Sequence, residues 1–194
     1  MFRKFLLAGL ICLVAHTVFA QVVPVSRLSN GGRIQVGIAG SAFATDWNRN
    51  EYGIAAYADF DVYRHILSLE AETRFIFLNK QNVTTALGHA SFVDERNYGV
   101  GPRIAIRHGR WVPYVKGIAG VSNITWGHIY VNAPNYTGDN YTYVGVGGGT
   151  DYRLDRHFRL RGEYQYQFWI ADNSGKNSII YTPNGFTAGV GYQF

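Results

Sequence analysis

Along most of this chain apolar and polar residues alternate with a period of two, the signature of strands whose two faces meet different surroundings. The alternation recurs near 33–43, 51–63, 66–78, 95–107, 111–122, 141–154, 158–169 and 185–194, which predicts eight β-strands. In 66–78, Leu67, Leu69, Ala71, Thr73, Phe75 and Phe77 share one face, and Ser68, Glu70, Glu72 and Arg74 share the other. In 157–169, Phe158, Leu160, Tyr164, Tyr166 and Phe168 oppose Arg159, Arg161, Glu163, Gln165 and Gln167. In 51–63, Ile54, Ala56, Ala58, Phe60 and Val62 oppose Tyr57, Asp59 and Asp61. The last ten residues alternate strictly and finish on Phe194. No 3.6-residue period persists after residue 20, so no helix is expected there.

The connections sort into two kinds. Arg64-His65, His108-Gly109 and Asp155-Arg156-His157 are tight turns, whereas 44–50, 79–94, 123–140 and 170–184 are longer and polar. Short turns on one side and long loops on the other are the outer-membrane pattern, and each strand has about the 9–11 residues a tilted membrane strand needs. Alternation alone leaves open which face points outward, since a soluble lipocalin-like barrel puts its apolar face inside. The sorted loops, the terminal aromatic and aromatics near strand ends favour the inverted arrangement. Trp111, Phe158, Tyr192 and Phe194 fall at the short-turn side, and Phe43, Phe77, Trp126 and Phe168 at the long-loop side, as two aromatic girdles would. The expected fold is all-β: an eight-stranded antiparallel up-and-down transmembrane β-barrel, closed so that no backbone group is left unpaired in lipid.

The N-terminus adds a compartment. Arg3 and Lys4, the apolar run Phe5–Val14 and Val18-Phe19-Ala20 before Gln21 read as a secretory signal peptide over residues 1–20. One domain is expected over 21–194, with 21–32 as a short lead. Cleavage after Ala20 would remove the single cysteine, Cys12, and lower 18 basic residues to 16 against 13 acidic ones. The residue before Cys12 is Ile11, which does not suit a lipid-anchor signal. No basic run or basic helix is present, which argues against nucleic acid as a partner. The composition, with 14 Tyr, 12 Phe and 23 Gly, is that of strands and turns.

The signal peptide, the eight alternating strands and the terminal Gly-Tyr-Gln-Phe resemble the outer-membrane β-barrel domain family, which includes the OmpA transmembrane domain and the OmpX/Ail-type small barrels. The resemblance covers the whole of 21–194 and lies in architecture, not in catalytic residues. It implies a bacterial outer-membrane location and contact with outer-membrane lipid and lipopolysaccharide. It also implies a terminal strand, with Tyr192 and Phe194, that the outer-membrane assembly machinery reads. A role in surface adhesion or envelope integrity is implied as well, through an extracellular ligand at loops 44–50, 79–94, 123–140 and 170–184.

An eight-stranded barrel has an interior just wide enough for side chains to fill it. The face assigned inward is dense in charge: Arg33, Arg74, Arg103, Arg107, Lys116, Arg153, Arg159 and Arg161 against Asp59, Asp61, Glu70, Glu72, Asp151 and Glu163. Near-balance predicts a plug of salt bridges and not an open channel, with a narrow pore as the alternative. The tight turns fix some of the pairing. A two-residue turn at Arg64-His65 sets Asp59 opposite Glu70, and Arg103 and Arg107 are the expected cations for that carboxylate pair. A three-residue turn at Asp155–His157 sets Asp151 opposite Arg161. The Asp59/Glu70 pair could serve as an acid–base dyad, but a filled lumen leaves no room for substrate, so a structural network is expected.

Enzyme chemistry has one foothold. His89-Ala-Ser91 resembles the His-x-Ser of lipid A deacylases, with Asp94 or Glu95 as the orienting acid. The Asn that follows that motif in the deacylases is Phe92 here, and the segment falls in a long loop, so no catalytic activity is expected. His65, His108, His128 and His157 are scattered, which gives no metal site. Gly145, Gly147, Gly148 and Gly149 lie within a strand with no following helix, so they are no phosphate loop and no cofactor is expected. The loop aromatics Trp47, Trp126, Tyr130, Tyr136 and Tyr141 suit either glycan contact or interfacial anchoring.

Overall fold

The computed structural model describes residues 34–45, 49–78, 83–85, 88–90, 93–126, 137–171 and 178–194. The expected signal peptide, the lead over 21–32 and Arg33 lie outside the described residues. The strands are β1 (Ile34–Thr45), β2 (Arg49–Tyr63), β3 (Leu67–Leu78), β4 (Val83–Thr85), β5 (Gly88–Ala90), β6 (Val93–Ala105), β7 (Trp111–Trp126), β8 (Thr137–Arg153), β9 (Phe158–Ala171), β10 (Ser178–Tyr181) and β11 (Asn184–Gln193).

The main sheet runs β1-β2-β3-β6-β7-β8-β9-β11, every neighbour antiparallel, and β11 returns to β1 through ten paired positions from Gln35↔Gln193 to Ala44↔Asn184. It is therefore a closed barrel of eight strands. β10 also pairs with β9, with a register shift between Ile179 and Tyr181, so β10 and β11 form one strand broken before Pro183. Proline cannot donate to a ladder and is tolerated at such a break. Its carbonyl still accepts the Gln167 N–H at 2.9 Å.

Every turn at the short end has a visible local cause. Arg64 and His65 take positive φ (48° and 58°), the geometry of a two-residue I′ turn, and the Ile66 N–H closes it on the Tyr63 carbonyl at 2.9 Å. That conformation disfavours side chains; the Asp61 carboxylate offsets part of the cost by accepting the His65 N–H at 2.9 Å. At the second turn Gly109 supplies positive φ (62°), and His108 and Trp111 exchange both backbone hydrogen bonds. At the third, Asp155 Oδ1 accepts the N–H groups of His157 and Phe158, both at 2.7 Å.

The long-loop side differs from expectation in extent. β7 and β8 run to Trp126 and from Thr137, inside the segment expected as a loop over 123–140. The segment expected over 79–94 holds the two-stranded ribbon β4-β5, paired from Val83↔Ala90 to Thr85↔Gly88. Where both faces of a strand meet water, neither has to be apolar. Polar runs such as Thr137-Gly-Asp-Asn140 therefore carry no alternation to reveal them.

Burial along β1 alternates between exposed and buried at almost every step, and the other wall strands do the same. The outward set is apolar: Ile38, Ile54, Val62, Ile106, Val115 and Phe186 are each more than 60 % exposed. The buried set is mostly polar and charged. A soluble barrel has the opposite arrangement. Here the apolar band faces outward and the charges face the lumen, the arrangement expected of a barrel whose wall meets lipid.

Candidate functional site: the barrel lumen

Five buried carboxylates and four buried cations meet inside the barrel, brought in from β2, β3, β6, β7, β8 and β9. The hairpin registers come first. Asp59 faces Glu70 across β2–β3, and Asp151 faces Arg161 across β8–β9, as the turn lengths dictate. Arg161 Nε donates to Asp151 Oδ1 at 2.9 Å. Its two terminal nitrogens reach across the lumen, Nη1 to Glu70 Oε2 at 2.8 Å and Nη2 to Asp59 Oδ2 at 2.5 Å.

Arg103 lies between the same carboxylates, 3.1 Å from Asp59 Oδ2 through Nη1 and 2.6 Å from Asp151 Oδ2 through Nη2, with Nε 3.8 Å from Glu70. Lys116 Nζ binds three acids at once: Glu70 at 2.6 Å, Glu72 at 2.7 Å and Glu163 at 2.8 Å. Glu163 also accepts the Tyr114 hydroxyl at 2.6 Å. Arg74 Nη2 donates to Gln165 at 2.7 Å and lies 3.5 Å from Glu72. Tyr57 and Tyr114 stack on the guanidiniums: Arg161 lies 3.6 Å from the Tyr57 ring centre and Arg103 3.9 Å from that of Tyr114.

Lys116, Arg161, Glu70 and Asp151 are each at most 2 % exposed at the side chain, so these pairs are desolvated and held in place. A buried charge of this kind is tolerable only when paired, which is what the geometry supplies. Asp61 and Arg107 are placed apart from the centre. Both line a small cavity at the short-turn mouth, where Asp61 also contacts the His65 ring. The expectation that Arg107 supplies the Asp59/Glu70 pair is not the observed geometry. Arg103 serves that pair together with Arg161 and Lys116.

The long-loop half of the lumen was poorly anticipated. Phe43, assigned above to a lipid-facing girdle, is 1 % exposed and points inward, with the Arg74 guanidinium 4.0 Å from its ring centre. β1 places its odd residues inward, and Phe43 shares that parity with Gln35 and Ser41. Ile76, Ile124, Tyr143 and Trp169 are also buried inside, the last donating Nε1–H to Gln167 at 2.8 Å. Trp169 packs with Tyr141 and Tyr181, at centroid distances of 5.6 Å and 6.3 Å. Tyr141, read above as a loop aromatic, thus belongs to this cluster.

Two acids were missed as lumen groups. Glu51 is fully buried, and Glu95 is 1 % exposed with the Asn97 amide donating to it at 2.5 Å. Strand parity would have found both, because Glu51 is in phase with Asp59 and Glu95 with Arg103. The segment with the His-x-Ser motif has His89 in β5, and Ser91 is outside the described residues. Of its two candidate acids, Asp94 pairs with Arg96 at 3.2 Å and Glu95 points into the lumen.

The remaining aromatic assignments at the short-turn rim hold. Trp111 is half exposed and packs against Tyr152, and Phe158, Tyr192 and Phe194 form a contiguous group. The His157 ring stacks on Tyr192, and its Nδ1 lies 2.9 Å from the Gln193 carbonyl. Phe194 continues the closure, its N–H donating to the Ile34 carbonyl at 2.9 Å.

Comparison with known proteins agrees with this architecture. The sequence profile of the outer membrane protein beta-barrel domain family matches residues 5–194. A search of curated protein sequences finds no significant match. Among solved structures, Neisserial surface protein A superposes with a TM-score of 0.62 at 14 % identity, over 83 % of this chain and 96 % of that one. The N-terminal β-barrel domain of Pseudomonas aeruginosa OprF gives 0.54 at 14 % identity, over 85 % and 100 %. Ail, the attachment invasion locus protein of Yersinia pestis, gives 0.53 at 15 % identity, over 83 % and 96 %. The chain belongs to the outer membrane protein beta-barrel domain family, and its place is the bacterial outer membrane.

Proposed function

We propose that this protein is a non-enzymatic outer-membrane barrel with a blocked lumen, acting through the surface at its long-loop end. The observation that carries the reading is the ion network, in which Arg161 and Lys116 each tie together three carboxylates from facing sides of the barrel. Opening a path past them requires breaking several desolvated pairs together, at a cost of about 3–5 kcal/mol for each cation left without partners. Trp169, Tyr143, Phe43 and Ile76 add an apolar obstruction nearer the long loops. Interaction with lipid is assigned to the outer wall. Contact with an extracellular ligand is assigned to the segments between β1 and β2, β3 and β6, β7 and β8, and β9 and β10. Their Asn, Gly and aromatic content suits recognition of a polar surface.

Planar-bilayer recording tests the blocked lumen. The expected trace has no stable steps, and regular ion-selective steps from the wild-type protein would favour the narrow-channel alternative. Lipid A mass spectrometry tests the absence of enzyme activity: loss of an acyl chain that disappears in Ser91→Ala would replace this reading with a deacylase.

A further inference from the structure

Glu51 and Glu95 lie apart from the ion network, nearer the long loops. Both point into the lumen, and neither is more than 1 % exposed. They sit on β2 and β6, on either side of β3: Glu95 faces Ile76, and Tyr52, next to Glu51, faces Phe77. Their carboxyl groups are within hydrogen-bonding reach of each other. This level is beyond the apolar band, because the outer face of the same stretch of β6 carries the exposed Asp94–Arg96 ion pair.

The hydrogen bonding of Glu95 is incomplete for a carboxylate. Oε1 accepts the Asn97 amide at 2.5 Å, but no donor reaches the buried Oε2 among the described residues. A carboxylate offers only acceptors, whereas a protonated carboxyl is also a donor. One proton on Oε2 turns a contact between two acceptors into an O–H···O bond to Glu51, and it removes the orphaned acceptor at the same time. Glu51 needs only to accept.

No other group at this level supplies the missing charge to Glu95. Arg74 of β3 spends Nη2 on Gln165 and Glu72, and no ion pair joins it to Glu95 among the described residues. Tyr143 of β8 is the other titratable group that faces Glu95, and the next charges below, Glu72 and Lys116, are tied to each other at 2.7 Å. β1, β7 and β9 present uncharged side chains such as Phe43, Ile124 and Gln167. Burial, and after it the Glu51 charge, raise the Glu95 pKa; the Asn97 hydrogen bond and the Arg74 charge oppose them and are each weaker.

We infer that Glu95 is protonated at neutral pH and donates Oε2–H to Glu51, so that the pair is a pH-sensitive latch across β3 between the roots of β2 and β6. β2 emerges from the segment that follows β1, and β6 from the one that holds the β4-β5 ribbon. The latch therefore ties the bases of two segments proposed above to meet an extracellular ligand, although it stands without that proposal. Raising the pH removes the proton, sets two buried charges against each other and loosens both roots. A folded-state pKa above the unfolded value means that the folded barrel keeps a proton the unfolded chain has released. The stability from this pair is full below the ordinary glutamate value of about 4.3 and is lost as the pH rises through the raised one.

Glu51, Glu70, Glu72, Glu95 and Glu163 are the chain's only glutamates, so isotope labelling at the glutamate carboxyl carbon gives an NMR spectrum that reads them alone. In the folded wild-type barrel at neutral pH, the Glu51/Glu95 pair should give signal displaced toward the protonated position. Glu70, Glu72 and Glu163 should stay at the ionised position, since Lys116 pairs with each. Raising the pH to about 10 should bring the displaced signal to the ionised position and shift the amides of residues 50–53 and 94–97. Glu95→Gln, whose amide can donate to Glu51 in place of the proton, should remove the displaced signal and leave those amides unmoved. From about pH 5 up to the point of release, the wild-type unfolding constant should rise by up to tenfold per pH unit relative to that of Glu95→Gln. Every glutamate carboxyl at the ionised position at neutral pH would overturn the inference, and that measurement needs no variant. Amides that stay still as the displaced signal titrates, or that move equally in Glu95→Gln, would overturn the latch.

Discussion

Arg161→Met is the sharpest perturbation of the lumen. Arg161 is 2 % exposed at the side chain and touches Asp59, Glu70 and Asp151. Removing one partner of a buried ion pair costs about 3–5 kcal/mol, because the remaining charge is left desolvated without compensation. The lower end of that range applies here. Asp59 and Asp151 keep Arg103, and Glu70 keeps Lys116 at 2.6 Å, so none of the three loses every cation. The cluster nonetheless goes from four cations facing five carboxylates to three. Methionine retains much of the side-chain volume against the Tyr57 ring, which keeps the packing loss small. The expected loss is therefore ~3 kcal/mol. In equilibrium urea unfolding from lipid vesicles, with slopes of about 1–3 kcal/mol/M, the midpoint should fall by roughly 1–3 M. A double-mutant cycle with Asp151→Asn should show a coupling of about 1 kcal/mol or more, since the two residues face each other in register. A loss no larger than the ~1 kcal/mol of an exposed pair would refute the claim that the network is desolvated.

Three further outcomes are expected. Lipid-phase quenchers such as brominated acyl chains should quench Trp111, which is 53 % exposed on the rim, and spare Trp169, which is wholly buried in the lumen; single-tryptophan variants read this directly. Gly101→Val should cost about 1–3 kcal/mol in the same urea assay, because any Cβ there presses into the Gly117 carbonyl oxygen of the neighbouring strand. Phe194→Ser should lower the amount of folded barrel in the cell's outer membrane while leaving refolding in detergent nearly unchanged, since Phe194 is 63 % exposed and its backbone bond to Ile34 survives the change.

Much of the wall was legible because lipid forces every outward side chain to be apolar, which turns strand parity into a visible code. The short turns were legible for a related reason. Two or three residues between strands leave few registers, so Asp59 opposite Glu70 and Asp151 opposite Arg161 followed from counting. The code lapses where both faces see water. Thr137–Asn140 therefore read as loop, although it pairs with β7 as far as Trp126↔Thr137. It also lapses where the lumen itself turns apolar. Phe43, Ile76 and Trp169 are inward hydrophobes, and an alternation rule that equates apolar with lipid misassigned Phe43 and passed over the rest.

Contacts across the lumen belong to a different level of information. Arg161 and Glu70 are 91 positions apart and lie on β9 and β3, which are not neighbours in the sheet. No turn length relates them. Their meeting depends on how far the sheet is sheared when β11 closes on β1, because the shear decides which inward residues of non-adjacent strands share a level. Hairpin counting supplies each carboxylate with a local neighbour, and for Asp59 that neighbour is another carboxylate. The neutralising cation then has to come from across the barrel, and a register slip of one residue anywhere would turn that strand's inward charges toward lipid. The same ion pairs that are proposed to block the lumen therefore also specify the closure. A barrel sheared differently would leave Lys116 and Arg161 desolvated without their three acids each, and that penalty selects the observed pairing over its alternatives.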